Sequence, residues 1–159
     1  MSEALKIRVL HGPNLNLLGQ REPERYGRVS LAQIDEALVA RGRELGVEVV
    51  ATQHNGEGEL VDAIQESARG GFGGVLINPA AYTHTSVALR DALLAVGLPT
   101  VEVHLTNTYA REEFRHKSLI ADVAVARVMG FGDHGYLYGL DGLVRYLSCL
   151  LYTSDAADE

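Results

Sequence analysis

The stretch GGVLINPAAYTHTSVALRDALLAVGLPTVEVHL, residues 73–105, contains a complete strand–helix–strand unit. GGVLINP is a short apolar run that stops at Asn78 and Pro79. Leu89, Leu93 and Val96 then keep helical spacing until Gly97 and Pro99 end it. TVEVHL is the next strand, and a strand–helix–strand order calls for a parallel pair with a right-handed crossover. The same alternation extends outward. Toward the N-terminus, KIRVLHG reads as a strand ending at a glycine, and Ser30 with Gln33 has capping-box spacing ahead of a stripe at Leu31, Ile34, Leu38 and Leu45. Gly46 closes that helix and VEVVATQ follows as a strand. Leu60, Val61, Ile64 and Ala68 mark a further helix, ended by Gly70 and Gly71. Toward the C-terminus, VAVARVMGFG is the fifth strand, and Leu137, Leu140, Val144 and Leu147 form the last helix. Five strands interleaved with helices predict one doubly wound α/β domain over residues 1–148, its parallel sheet covered on both faces.

Composition agrees with one such domain. The chain has 159 residues, 47% of them hydrophobic, enough for a real core. No apolar run approaches the roughly 18 residues of a membrane span, and MSEALKIRVL lacks the pattern of a secretory signal. A cytoplasmic protein without a membrane partner is the expectation. A net charge of −7 argues against a nucleic-acid binder that tracks phosphates. The last residues, CLLYTSDAADE (149–159), read as the in-frame translation of a sequencing-library adapter and are set aside from the fold. Asp155, Asp158, Glu159 and the sole cysteine, Cys149, belong to that tail, which leaves the rest without a disulfide or thiol nucleophile.

In an open parallel sheet, ligands bind beyond the carboxyl ends of the strands, where strand order reverses. The first strand is followed by Asn14, Asn16, Arg21 and Tyr26, and the third by Asn78, Tyr82 and His84 with three hydroxyls. The fourth leads into His104, Thr106, Asn107, Arg111 and Arg115. Within that strand, Glu102 and His104 share a face while Val101 and Val103 take the other. Amides, imidazoles and guanidiniums from three loops thus converge on one edge. Plainer roles stand beside each residue. Asn14 and Asn78 could cap turns beside Pro13 and Pro79, His84 could only start a helix, and Arg21 could be a solvated charge. Tyr26 could pack under its loop, and Glu102 with His104 could be a satisfied buried pair. A metal on Glu102, His104 and His84 lacks the usual ligand spacing. No GxGxxG follows the first strand and no GxxxxGK[ST] occurs anywhere, a flavin phosphate loop would want hydroxyls where HGPNLN stands, and a phosphorylated receiver would want acids where His11 and Asn78 stand.

The blocks GPNLNLLGQREPERYG, EGEL, INPAAYTHTSVALRDAL and EVHLTNTYAREEFRHKS resemble the signature of type II 3-dehydroquinate dehydratase. The resemblance implies a flavodoxin-like fold, a homododecamer built as a tetramer of trimers, and conversion of 3-dehydroquinate to 3-dehydroshikimate without metal or cofactor. By resemblance Tyr26 is the base. A free phenol titrates near ~10, and Arg21 is the residue that would stabilise its phenolate. Asn14 would help hold the enolate, and His104 would be the general acid, aimed by Glu102. Asn78, His84, Arg115 and the Leu105–Thr106 backbone would bind substrate, with Arg111 ordering the site. Asp91 corresponds to a family substrate-contact acid, offered from a neighbouring subunit. The chain departs from the family pattern at Gly56, where a His is usual, at Ala80, where a Gly is usual, and at His11 and Thr106. A noncatalytic anion-binding or assembly protein on the same fold would be expected to have lost Tyr26, Arg21 or His104, and all three are present.

Overall fold

A computed structural model describes residues 4–20, 22, 24 and 27–157, the side chains of 151–157 excepted. Five parallel strands, β1 (Lys6–His11), β2 (Glu48–Gln53), β3 (Gly74–Asn78), β4 (Thr100–His104) and β5 (Ala126–Met129), pair in the order β2-β1-β3-β4-β5. Central β3 and β4 are buried along their whole length, while edge strands β2 and β5 each begin on an exposed residue. The sequence pattern predicts all five strands, and each forms within a residue or two of its expected place except β5, which is shorter than VAVARVMGFG suggests.

Among the described residues four α-helices cover the sheet: α1 (Leu31–Leu45), α2 (Glu57–Arg69), α3 (Val87–Val96) and α4 (His134–Ala157). The capping box at the start of α1 forms as expected, with Gln33 N–H donating to Ser30 Oγ and Ser30 N–H donating to Gln33 Oε1. Gly46 ends α1 at φ 74°, a left-handed position where a side chain would be strained. Ser86 caps α3 by accepting the Leu89 N–H at 3.0 Å. Helix α4 continues through Cys149, which is exposed, to Ala157. No helix among the described residues is long and apolar enough to cross a membrane.

Strand alternation splits the core into two clusters. Ile7, Val9, Leu76, Val101 and Val103 pack with α1 and α4 through Leu38, Leu140 and Leu143. Leu10, Val75 and Ile77 point the other way and pack with α2 and α3 through Leu60, Ile64 and Leu89. Burying each such side chain contributes about 1.5–3 kcal/mol. Val61 and Ala68, read as part of the α2 stripe, are half-buried and exposed.

The strand order reverses between β1 and β3, whose carboxyl ends nearly touch. Gly12 N–H donates to Asn78 O at 2.7 Å. A Cβ on Gly12 would lie 2.4 Å from Pro79 O and 2.6 Å from Pro79 C, both backbone atoms, so only glycine fits this crossing.

Candidate active site

A cleft of about 110 Å³ opens at this reversal, where an open parallel sheet binds its ligands. Asn14, Asn78, His84, His104, Leu105, Thr106, Arg111 and Arg115 all line it, so residues predicted from three separate loops do meet. Tyr26 and Arg21 lie outside the described residues. Asp91 is on the exposed side of α3 and does not line this chain's cleft.

Alternation along β4 sets the chemistry of one wall. Val101 and Val103 enter the core beside α1 and α4, and Glu102 and His104 point to the opposite face. Glu102 is fully buried. His104 Nε2–H donates to its Oε2 at 2.5 Å, Thr83 Oγ1 donates to the same oxygen at 3.2 Å, and Ser118 Oγ donates to Oε1 at 2.8 Å. Arg127 on β5, the register partner of Glu102, brings Nε to 3.1 Å from Oε2. Burial alone would push the Glu102 carboxyl up. The hydrogen bond and charge of His104, the charge of Arg127 and the Ser118 hydroxyl outweigh it and hold Glu102 below the ordinary carboxylate value. Glu102 is therefore an anion, and it fixes the His104 ring through one nitrogen while the ring lines the cleft.

His84 stacks against His104 with ring centroids 6.4 Å apart. Its Nδ1–H donates to Lys117 O at 2.8 Å, which leaves Nε2 as an acceptor. Burial, then the positive fields of His104, Arg115 and Arg127, hold its value down, against the pull of the Lys117 bond. A neutral acceptor imidazole suits a bound hydroxyl. Arg115 Nε donates to Glu112 at 2.9 Å, and Arg111 Nη1 reaches Thr106 Oγ1 at 3.5 Å. Two guanidiniums on one wall suit a carboxylate. Among the described residues no group of His, Cys, Asp and Glu side chains is placed to hold a metal ion.

Ala80, where resemblance expects glycine, sits at φ 53° in the left-handed region. Its N–H donates to Asn78 Oδ1 at 3.0 Å, and the strain of the alanine there is of order 1 kcal/mol. Asn14 takes a similar conformation at φ 70°, which asparagine tolerates well, and its N–H donates to Asn55 Oδ1 at 3.0 Å. At the other departure, Gly56 is the N-cap of α2, and its N–H donates to Glu59 Oε1 at 3.2 Å.

The irregular segment 117–120 ties the site together. Besides the Lys117 and Ser118 bonds, Leu119 N–H donates to Thr83 O at 2.9 Å, and Leu119 O accepts from Arg90 Nη1 at 2.9 Å. Ile120 is fully buried in the α2–α3 cluster. The roles of Thr83, Ser118 and Arg127 around Glu102 are absent from the sequence reading. An arginine in a strand otherwise read as apolar, Arg127, is the one local signal for them.

Comparison with known proteins supplies a family. Residues 5–144 match the sequence profile described as dehydroquinase class II. The 3-dehydroquinate dehydratase of Nostoc sp. (strain PCC 7120) is 58% identical over 145 residues, covering 91% of this chain and 98% of that protein. The 3-dehydroquinate dehydratase of Geotalea daltonii is 55% identical over 143 residues, covering 90% and 99%. The crystal structure of type II dehydroquinase from Butyrivibrio crossotus superposes with a TM-score of 0.87 at 40% identity, covering 89% of this chain and 99% of that one.

Proposed function

The chain belongs to the class II dehydroquinase family, and on that premise we propose that it removes water from 3-dehydroquinate to give 3-dehydroshikimate. The observation that carries the reading is the buried Glu102–His104 pair, with His104 lining a cleft beside Arg111 and Arg115. Elimination needs a base for the proton next to the ketone, a donor for the enolate and an acid for the departing hydroxyl. Tyr26 takes the proton, its phenolate stabilised by Arg21. Asn14 helps hold the enolate through a bound water. His104 then gives a proton to the leaving hydroxyl while Glu102 holds the ring. The carbon–oxygen bond breaks, and the product is an enone plus water.

Asn78, His84, Arg115 and the Leu105–Thr106 backbone bind the substrate's hydroxyls and carboxylate, and Arg111 orders the site. Family resemblance supports a cytoplasmic homododecamer of four trimers, in which Asp91, exposed here, reaches a neighbour's site. The same resemblance implies no metal and no cofactor. Residues 149–159, into which α4 runs as far as Ala157, are read as an adapter-derived tail rather than as part of the catalytic unit.

The experiment separates base from acid. Tyr26→Phe and His104→Ala are each incubated with 3-dehydroquinate in deuterated water, with dehydration followed by ultraviolet absorbance and exchange by NMR. Both variants should lose dehydration by a factor of about 10² or more. The His104 variant should still exchange the proton next to the ketone stereospecifically, and the Tyr26 variant should not. The reverse pattern would sink the assignment.

A further inference from the structure

On the sheet face opposite Glu102, a chain of hydrogen bonds runs from the surface of α1 to Asn78. Asp35 Oδ1 lies 2.7 Å from His11 Nε2, and His11 Nδ1 lies 2.9 Å from the Tyr136 hydroxyl. The same hydroxyl accepts from Asn78 Nδ2 at 3.1 Å. His11 and Tyr136 are wholly buried, and Asp35 is about a third exposed, at 34%.

One backbone group sets the direction of the whole chain. The Ala80 N–H can only donate, so the Asn78 atom 3.0 Å away is the amide oxygen. The amide nitrogen then faces Tyr136 and donates to it. The phenol, accepting there, gives its own proton to His11 Nδ1, and His11 Nε2–H donates to Asp35. Turning the Asn78 amide over would set two donors against each other at Ala80, which a buried site does not tolerate without loss. Burial raises the Tyr136 phenol far above its ordinary value, with Asn78 pulling down and Asp35 pushing further up. This tyrosine therefore keeps its proton and is a donor to His11, never a base.

We propose that Tyr136, held through His11 by Asp35, is a positioning residue that locks the Asn78 carboxamide in one orientation for the bound substrate. The proposal rests on the reading of Asn78 as a substrate-binding residue. One amide hydrogen and one lone pair of Asn78 stay available for that contact. The lock presents them with the orientational cost already met, so its loss weakens substrate binding more than it slows the proton transfers.

The test compares Tyr136→Phe, His11→Leu and His11→Gln with Asn78→Ala, using 3-dehydroquinate and the ultraviolet assay. Tyr136→Phe and His11→Leu should raise KM roughly tenfold, the order of one net hydrogen bond, with a smaller change in kcat. His11→Gln keeps an acceptor and a donor and should recover most of that loss. Tyr136→Phe placed on Asn78→Ala should add nothing further to KM. In 15N-labelled protein, the Asn78 side-chain amide signal should move in Tyr136→Phe and His11→Leu and stay in His11→Gln. A lowered melting temperature with unchanged KM and an unchanged Asn78 signal would overturn the proposal. If Tyr136→Phe fails to fold, the two His11 variants carry the same comparison. Asn78→Ala with unaltered KM would instead overturn the binding role of Asn78, and the amide signal still reads the lock.

Discussion

Two buried histidine–carboxylate pairs sit on opposite faces of one sheet and are built for different work. Glu102 and His104 face the α2–α3 side at the carboxyl end of β4, with the Arg127 guanidinium also against the carboxylate. His11 and Asp35 lie on the α1–α4 side at the end of β1, with a phenol and an amide in series and, among the described residues, no arginine paired with the carboxylate. In the first pair the carboxylate is fully buried and the imidazole reaches the cleft. In the second the imidazole is buried and the carboxylate reaches solvent. Which partner is exposed decides the use: a cleft-facing ring can exchange a proton with a ligand, whereas a buried ring can only orient its neighbours.

Removing charge from the first pair tests that contrast most severely. Glu102→Gln leaves Arg127 and His104 without their shared anion. Breaking such a buried pair costs about 3–5 kcal/mol, and turnover should fall on the order of 10²-fold or more. Urea unfolding and the ultraviolet assay read both. The pH dependence has a definite sign. Glu102 lies below its ordinary 4.5 in the folded protein, so its stabilising effect is complete above that value and is lost as pH falls through the folded one. The lowered His84 acts in the same direction, its contribution lost as pH falls below its ordinary 6.5. Glu102→Gln should lack the lower of these two losses, and a variant that still shows it would assign the acid step elsewhere.

Gly12→Ala comes next and acts on the second pair. The new methyl would force apart the His11–Gly12 and Asn78–Pro79 backbones, at about 1–3 kcal/mol. KM should rise with it, while the acid step due to Glu102 stays in place. A parallel loss of that step would mean that the two pairs are not separable.

Ala80→Gly is the mildest change. Relief of the left-handed strain, of order 1 kcal/mol, is partly offset by the greater freedom of unfolded glycine, about 0.5–1 kcal/mol. The variant should gain less than about 1 kcal/mol, a rise of at most a few degrees in melting temperature. A clear loss would show that the alanine methyl contributes packing beyond what its strain costs.

Sequence pattern carried the sheet and half of this contrast. Glu102 and His104 are two residues apart on one strand, so alternation alone pairs them, and the caps at Ser30 and Gly46 are equally local. Arg127 was out of reach because it meets Glu102 only through the β4–β5 register. The His11–Tyr136 contact joins positions 125 apart and depends on how α4 crosses the sheet. Resemblance, not periodicity, identified Ala80 as a site where glycine is expected, and its φ supplies the physical reason. Resemblance also named Asp91, and nothing within one chain brings it to the cleft.

Residues 117–120 have no regular secondary structure, yet they hold His84, Glu102, Thr83 and Arg90 at once. Segments of that kind usually absorb changes of length easily. Here a single inserted or deleted residue would shift a histidine, a carboxylate and the α3 helix together. Length variation among homologous genes should therefore stop short of this strap and accumulate in turns that carry no such tethers.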